Sequence, residues 1–473
     1  MAVIECGSAP GASPARGAAA AQSALLDAPI LPTLGRLAAP NALAMVAAAG
    51  VSIAETAYVG RLGVASLAGV TLVFPLIMLM QMMSAGAMGG GISSAVSRAL
   101  GAGDLARVEA LALCALVIGL IGGAAGVILF LAFGPAMFAA LGGEGAALRE
   151  AVLYAHVAGF GVLAIWVTNC LASVLRGAGR MAAPASAVMA ASVLQVAIGG
   201  ALAFGIGPLP QLGVAGVALG QAIAFSVAAL ILAALLRAPT STPRLRFEPA
   251  LLRRDLFIDI LRVGAIGCLS PLFAVASVLV ITGLVTRFGP EALAGFGIGA
   301  RLEFLLIPIA FSIGVASVPM VGVAIGAGAT PRARRVAWTA GGLAFAALGV
   351  IGLVVVAFPG AWAGLFTQDP DALAAAALYL RFAGLGFGFF GLGLCLYFAS
   401  QGAGKIVGPI LAQAGRFAVV AAGGWALTAA GAPLWTLFAL IALSMAALGL
   451  GSVAAVRFTP WGAARATAAS QPA

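Results

Sequence analysis

The chain has 473 residues, is 63% hydrophobic and only 8% charged, and carries a net charge of +10. A soluble domain carries roughly a quarter charged residues, so this composition excludes a water-covered globule. Apolar runs at or above the ~20 residues that cross a bilayer recur along nearly the whole length, while the ten-residue alternating segments of a β-barrel are absent. The class is an all-α polytopic membrane protein. Its positive charge is spread over short connections, which argues against a nucleic-acid partner.

In chain order, residues 1–35 lack the charged start and apolar centre of a signal peptide and read as a disordered cytoplasmic tail. Twelve spans follow, near 37–60, 67–95, 108–134, 150–175, 182–206, 212–236, 259–286, 292–324, 336–358, 376–400, 407–430 and 433–456. Between the sixth and seventh lies the longest polar connection, "RAPTSTPRLRFEPALLRRD", with five arginines and three prolines. It divides an N-lobe (36–237) from a C-lobe (257–458) through a cytoplasmic linker at 238–256, and a short cytoplasmic tail (459–473) ends the chain. With alternate loops assigned to opposite sides, 18 of the 24 basic residues fall inside. Four (Arg61, Arg149, Arg287, Arg381) fall outside, and Arg301 and Arg416 lie within spans. This bias places both termini in the cytoplasm. Lys405 is the only lysine, and with the Ala and Gly excess this suggests a bacterial chain of the cell inner (plasma) membrane.

The two lobes repeat one another. Residues 144–187 align without a gap to 369–412, placing Tyr154 on Tyr379, Cys170 on Cys395 and Pro184 on Pro409. "RLGVASLAG" (61–69) matches "RFGPEALAG" (287–295), and "ALGAGDLAR" (99–107) matches "AIGAGATPR" (324–332). Two copies of an even number of spans share one orientation and are related by an axis along the membrane normal. That arrangement belongs to transporters whose site lies between bundles.

The first span carries an acid, Glu55, in "VSIAETAYVGRLG". It precedes Arg61 by six residues, which at 1.5 Å per residue places it ~9 Å below the outer surface. An ionised carboxylate there costs several kcal/mol, and taking up a proton removes that cost. The bland alternatives are pairing with Arg61 or reaching out to the headgroups.

"ETAYVGRLGVASLAG", "SRALGAGD", "VLRGAGRMAAP" and their second-lobe counterparts "RFGPEALAGFGIGARLE", "VGVAIGAGATPRA" and "ASQGAGKIVGP" together resemble the multidrug and toxic compound extrusion (MATE) family over about 36–456. The resemblance implies two six-helix lobes around a V-shaped cavity, and export of organic, often cationic, compounds against inward H+ or Na+. The family's first-helix Asp falls on Glu55. Further acids of its sodium-linked and proton-linked branches fall on Ala274, Phe390 and near Gly199, so this chain has a sparser acid set.

Other polar residues in spans are candidates for substrate contact: Met78, Gln81, Asn169, Gln195, Arg301 and Glu303. Thr56, Tyr58, Thr71, Asn169 and Gln195 are possible oxygen donors for Na+. Arg301 and Glu303 are two apart and face different sides of a helix; Arg416 is a candidate partner for Glu303, in a structural ion pair or a second cavity charge. Met78, Met80, Met82, Met83 and Met88 point all around the second span, so most are packing residues. The five cysteines and the single His156 have no metal-ligand spacing. "GAGK" (402–405) lacks the spacing and the Ser/Thr of a nucleotide-binding loop and reads as a helix-ending turn. The expected protein is not an enzyme and has no cofactor beyond a coupling ion. It is expected to work as a monomer in the bilayer, exchanging small organic molecules for H+ or Na+. A lipid-linked saccharide flippase and a non-transporting scaffold subunit are the alternatives.

Overall fold

The computed structural model describes residue 19 and residues 22–238 and 243–462. Among the described residues, twelve helices are long and apolar enough to cross a membrane. They are α1 (Ile30–Leu62), α2 (Val64–Gly101), α3 (Leu105–Ala140), α4 (Gly145–Gly177), α5 (Ala182–Phe204), α6 (Val214–Arg237), α7 (Arg254–Phe288), α8 (Pro290–Gly326), α9 (Thr330–Ala357), α10 (Pro370–Gly402), α11 (Val407–Ala429) and α12 (Leu434–Phe458). No strand occurs among the described residues. Large apolar side chains such as Ile53, Val46, Leu230 and Phe358 stand more than 60% exposed, as lipid-facing side chains do.

The sequence places helix ends where glycine is needed. α2, α4, α8 and α10 all end in Gly-Ala-Gly, and the last glycine of each (Gly103, Gly179, Gly328, Gly404) is left-handed, at φ between 69° and 79°. The residue after each returns its N–H to a carbonyl five positions back: Asp104 to Ala99, Arg180 to Leu175, Ala329 to Ala324 and Lys405 to Ser400. This left-handed cap satisfies carbonyls the helix leaves open. "GAGK" is therefore the turn that closes α10. Asp104 and Asp369 then cap the starts of α3 and α10 by accepting from Arg107 N and Ala372 N.

Two compact units emerge. One holds 39–264 and the short helical segment before Ala28; the other holds 29–38 and 265 onward. In the first, α4 is the most enclosed span. In the second, its repeat image α10 threads a core that includes Phe296, Leu306, Tyr379, Phe387, Phe438 and Met445. There the Tyr379 ring meets Phe296 and Phe438 edge-on at 5.4 and 5.1 Å.

The tail and linker differ from expectation. Residues 22–26 are helical and α1 begins at Ile30, so this part of the 1–35 tail is ordered. Pro32 lies in the first turn of α1, where its missing N–H has no helical partner to lose. Gln22 Nε2 donates to Gly101 O at 3.0 Å, and Leu25 is buried against Gly179. Residues 1–18, with Cys6, and 463–473 lie outside the described residues, as do 239–242 of the linker. The rest of the linker packs on the first unit. Leu245 is buried and its N–H reaches Leu236 O, Arg237 stacks on Phe247 at 4.6 Å, and Arg246 pairs with Glu109.

Candidate functional site

Ser52, Glu55, Thr56 and Val59 recur at helical spacing and so share one face of α1. That face lines a cavity of about 180 Å³, closed by Leu67, Val70, Thr71 and Phe74 of α2, Tyr154 of α4 and Val217 of α6. From α5, the buried Gln195 donates its Nε2 to Glu55 Oε1 at 2.6 Å. Thr56 and Thr71 donate their hydroxyls to carbonyls one turn back, Ser52 O and Leu67 O. Their lone pairs remain free to accept. Tyr58, one turn beyond Glu55, leaves this face and packs edge-on to Phe204.

The site holds a carboxylate with a fixed donor on one oxygen and room beside it for a few waters or a small ion. Its volume falls short of the roughly 300 Å³ at which drug-sized sites begin. It can bind and release a proton or a small cation, or engage the charged end of a larger one. Among the described residues no three His, Cys, Asp or Glu side chains are grouped to hold a metal.

The other sequence candidates are distributed elsewhere. Asn169 donates Nδ2 to Ser84 Oγ at 2.9 Å, and Ser84 Oγ donates to Gln81 O at 3.1 Å. Ser84 sits where α2 widens into a π-turn over Met83–Met88. Asn169 thus fastens α4 to the irregular turn of α2, and neither it nor Gln81 lines the Glu55 cavity. Met78 is 38% exposed and also lies outside it. In the second unit Arg301 is exposed over the Phe366 ring at 5.2 Å, whereas Glu303 turns inward and accepts the Tyr379 hydroxyl. Arg416 is buried over Phe390 at 5.5 Å and makes no direct ion pair with Glu303. Of the two readings of Glu303, the ion pair with Arg416 is not formed, and its hydrogen bond comes from Tyr379. The cysteines within spans, Cys114, Cys170, Cys268 and Cys395, are buried free thiols.

Sequence reasoning missed the roles of Tyr154 and Tyr379. The repeat had marked both, because they align with each other, but it carried no sign that each neighbours an acid.

Twelve membrane-length helices among the described residues, in two repeated units with a carboxylate cavity in the first, define a membrane transporter. The MatE family profile matches residues 40–200 and 268–424, and the chain belongs to that family. It is a multi-pass transport protein of the MATE multidrug efflux family and not an enzyme. Similar curated proteins include the "FAD transporter" of Shewanella oneidensis, 26% identical over 80% of this chain and 82% of that one. The "Probable multidrug resistance protein NorM" of Deinococcus radiodurans is 30% identical over 75% and 78%. Among solved structures, a MOP superfamily transporter from Pyrococcus furiosus superposes with TM-score 0.84 at 23% identity, covering 92% of this chain and 97% of that one. A variant of the Vibrio cholerae MATE transporter VcmN gives TM-score 0.83 at 22% identity, covering 93% and 97%. These likenesses bear out the twelve-helix fold expected from the sequence.

Proposed function

We propose that the protein is an antiporter of the cell inner membrane, with both termini cytoplasmic, that exports small organic cations in exchange for protons at Glu55. The observation that carries this reading is Glu55 in a cavity lined by four spans and held by Gln195 of a fifth. Ionised Glu55 attracts a cation. A proton entering from outside cancels the charge, the cation leaves, and the neutral carboxyl is cheap to enclose on the return.

A proton is favoured over Na+ because the carboxylate stands without a second acid in its cavity, and Gln195 turns an N–H, not an oxygen, towards it. A hard cation wants several oxygens around it, whereas a proton needs one. The Thr56, Thr71 and Tyr154 hydroxyls are the oxygens a sodium ion would have to recruit. Met78, Gln81, Arg301 and Glu303 are retained as substrate contacts in this reading, while Asn169 serves the α2–α4 joint. The transporter acts as a monomer and needs no cofactor.

One proton in for one monovalent cation out moves no net charge. The membrane potential, worth ~2.3 kcal/mol per charge per 100 mV, then contributes nothing, and the pH difference supplies about 1.4 kcal/mol per unit. A second reading, favoured by the match to the Shewanella protein, is export of a flavin-type anion. For an anion both driving terms act, and Arg301 and Arg416 are cationic side chains that would meet it.

The test is export into the lumen of everted vesicles with pH and Na+ gradients imposed separately, wild type beside Glu55→Gln, with a cationic dye and with FAD. Dye export driven by the pH gradient and lost in the variant is the expected result. Export at full rate by Glu55→Gln, or driven by Na+ alone, would refute proton coupling at this site.

A further inference from the structure

The seventh span is gripped at two levels. Its inner half belongs to the first unit and the remainder to the second, with the handover at 264/265. Within the first unit, Asp259 is bracketed by two arginines. Oδ1 meets Arg98 of α2 at 2.6 Å, and Oδ2 meets Arg107 of α3 at 3.0 Å. Arg98 is steadied from behind by the Ser94 hydroxyl one turn away. Above the bracket, α2 and α7 touch backbone to backbone: a Cβ on Gly91 would lie 2.7 Å from Gly264 N, so neither glycine tolerates a side chain.

Just beyond, α7 breaks. It is helical over Arg254–Gly267 and resumes at Leu269. Pro271 has no N–H to give to Gly267 O four positions back, and that carbonyl accepts the Tyr397 hydroxyl of α10 at 3.3 Å instead. A short stretch without a helical bond thus separates a half-helix fixed to one unit from a half-helix fixed to the other.

We propose that the Arg98–Asp259–Arg107 bracket is a releasable latch on the inner half of α7, and that its opening lets this half-helix leave the first unit by bending at Gly267–Cys268. The proposal rests on the transport reading and on the cytoplasmic placement of these arginines, and does not depend on Glu55 as the coupling site. The charges are suited to release. Arg98, Asp259 and Arg107 remain 18%, 27% and 38% exposed, so water can replace each partner as it departs. The latch is particular to one half of the repeat: at offsets of 225 and 226, Asp259 corresponds to Leu34 or Thr33, neither of which is charged.

A native reporter lies on the same helix. Cys114 of α3 is fully buried, two turns along from Arg107. The experiment uses the full chain in lipid nanodiscs with Cys6, Cys170, Cys268 and Cys395 replaced by Ala. It reads the maleimide labelling rate of Cys114. Asp259→Asn is expected to raise that rate about tenfold, the bias that two half-exposed ion pairs supply. Asp259→Glu, which keeps the charge between the two arginines, is expected to stay as protected as the parent. Arg107→Gln serves as the second variant if Asp259→Asn does not fold. Labelling at the wild-type rate in an intact variant, even with a lowered melting midpoint, would make the bracket a fixed brace and overturn the proposal. Repeating the labelling in Glu55→Gln separates the latch from the coupling site, since the latch predicts the same ratio between variant and parent.

Discussion

Tyr379 donates its hydroxyl to Glu303, and its repeat mate Tyr154 lines the cavity that holds Glu55. The acids themselves are not repeat mates. At the repeat's offsets of 225 and 226, Glu55 corresponds to Val280 or Ile281 and Glu303 to Met78 or Ile77. Each unit keeps a tyrosine at the same point of its central helix and supplies a different helix with the acid: α1 in the first and α8 in the second. The units are alike as scaffolds and unlike as sites.

This asymmetry predicts different consequences for the two tyrosines. Tyr379 is fully enclosed in a core of Phe296 and Phe438, so Tyr379→Phe leaves Glu303 without its donor in an apolar surround. An unsatisfied buried acceptor costs about 1–3 kcal/mol. The melting midpoint of the detergent-solubilised protein should fall by a few degrees. Adding Glu303→Leu should recover much of it, because the acceptor is then gone as well. Tyr154→Phe should leave the midpoint nearly unchanged, since Tyr154 makes no hydrogen bond to Glu55, and its effect should appear in the efflux rate. Equal midpoints for the two Phe variants would contradict the assignment.

Gln195→Leu keeps the volume of the side chain and removes the N–H on Glu55 Oε1. A hydrogen bond to a charged group is worth about 1.5–3 kcal/mol, enough for roughly tenfold or more in any step that needs the ionised carboxylate. Dye efflux at saturating pH gradient is expected to drop by about that factor, while Gln195→Glu abolishes it by placing a second acid against the first. Efflux by Gln195→Leu within a factor of two of wild type would mean that the amide does not position Glu55 during transport.

The spans and the repeat were legible because membrane helices are written in composition and length, and because caps such as Gly-Ala-Gly recur at fixed offsets. Glu55 was legible as a charge out of place. Gln195 was visible only as one of several polar residues. That its amide meets Glu55, whereas that of Asn169 meets Ser84, depends on how α5 and α4 are rotated against their neighbours, and apolar spans carry too weak a periodicity to fix that rotation. The inward turn of Glu303 was half legible: its spacing from Arg301 forced the two onto different faces, but which face was interior followed from the aromatic core around Tyr379. The start of α1 was read too late because Pro29, Pro32 and Arg36 resemble a tail, although prolines in a first turn cost the helix nothing.

The left-handed turns make a prediction free of packing. Gly328 has φ +79° and nothing near its absent side chain, whereas Gly297 lies inside α8 with equally open space and an ordinary helical conformation. Gly328→Ala should destabilise by about 1–2 kcal/mol through backbone strain alone. Gly297→Ala should stabilise by a few tenths to about 1 kcal/mol, through helix propensity. Thermal midpoints of the two variants, measured side by side, should move in opposite directions, and movement in the same direction would show that the cap geometry is not what Gly328 supplies.

The joint between α2 and α4 makes the last. Asn169 and Ser84 are both buried and bonded to each other, and Ser84 sits in the π-turn whose widened backbone gives α2 one carbonyl out of helical register. A π-turn persists where side chains satisfy what the ladder cannot. Ser84→Ala strands the Asn169 Nδ2 donor, and Asn169→Leu strands the Ser84 hydroxyl only partly, since that hydroxyl still donates to Gln81 O. Ser84→Ala should therefore be the more damaging single change, by about 1 kcal/mol or more, and the double variant should be less destabilised than the sum of the two. A double-mutant cycle on thermal stability measures the coupling. A coupling near zero would remove Asn169 from the joint and return it to the candidates for substrate contact.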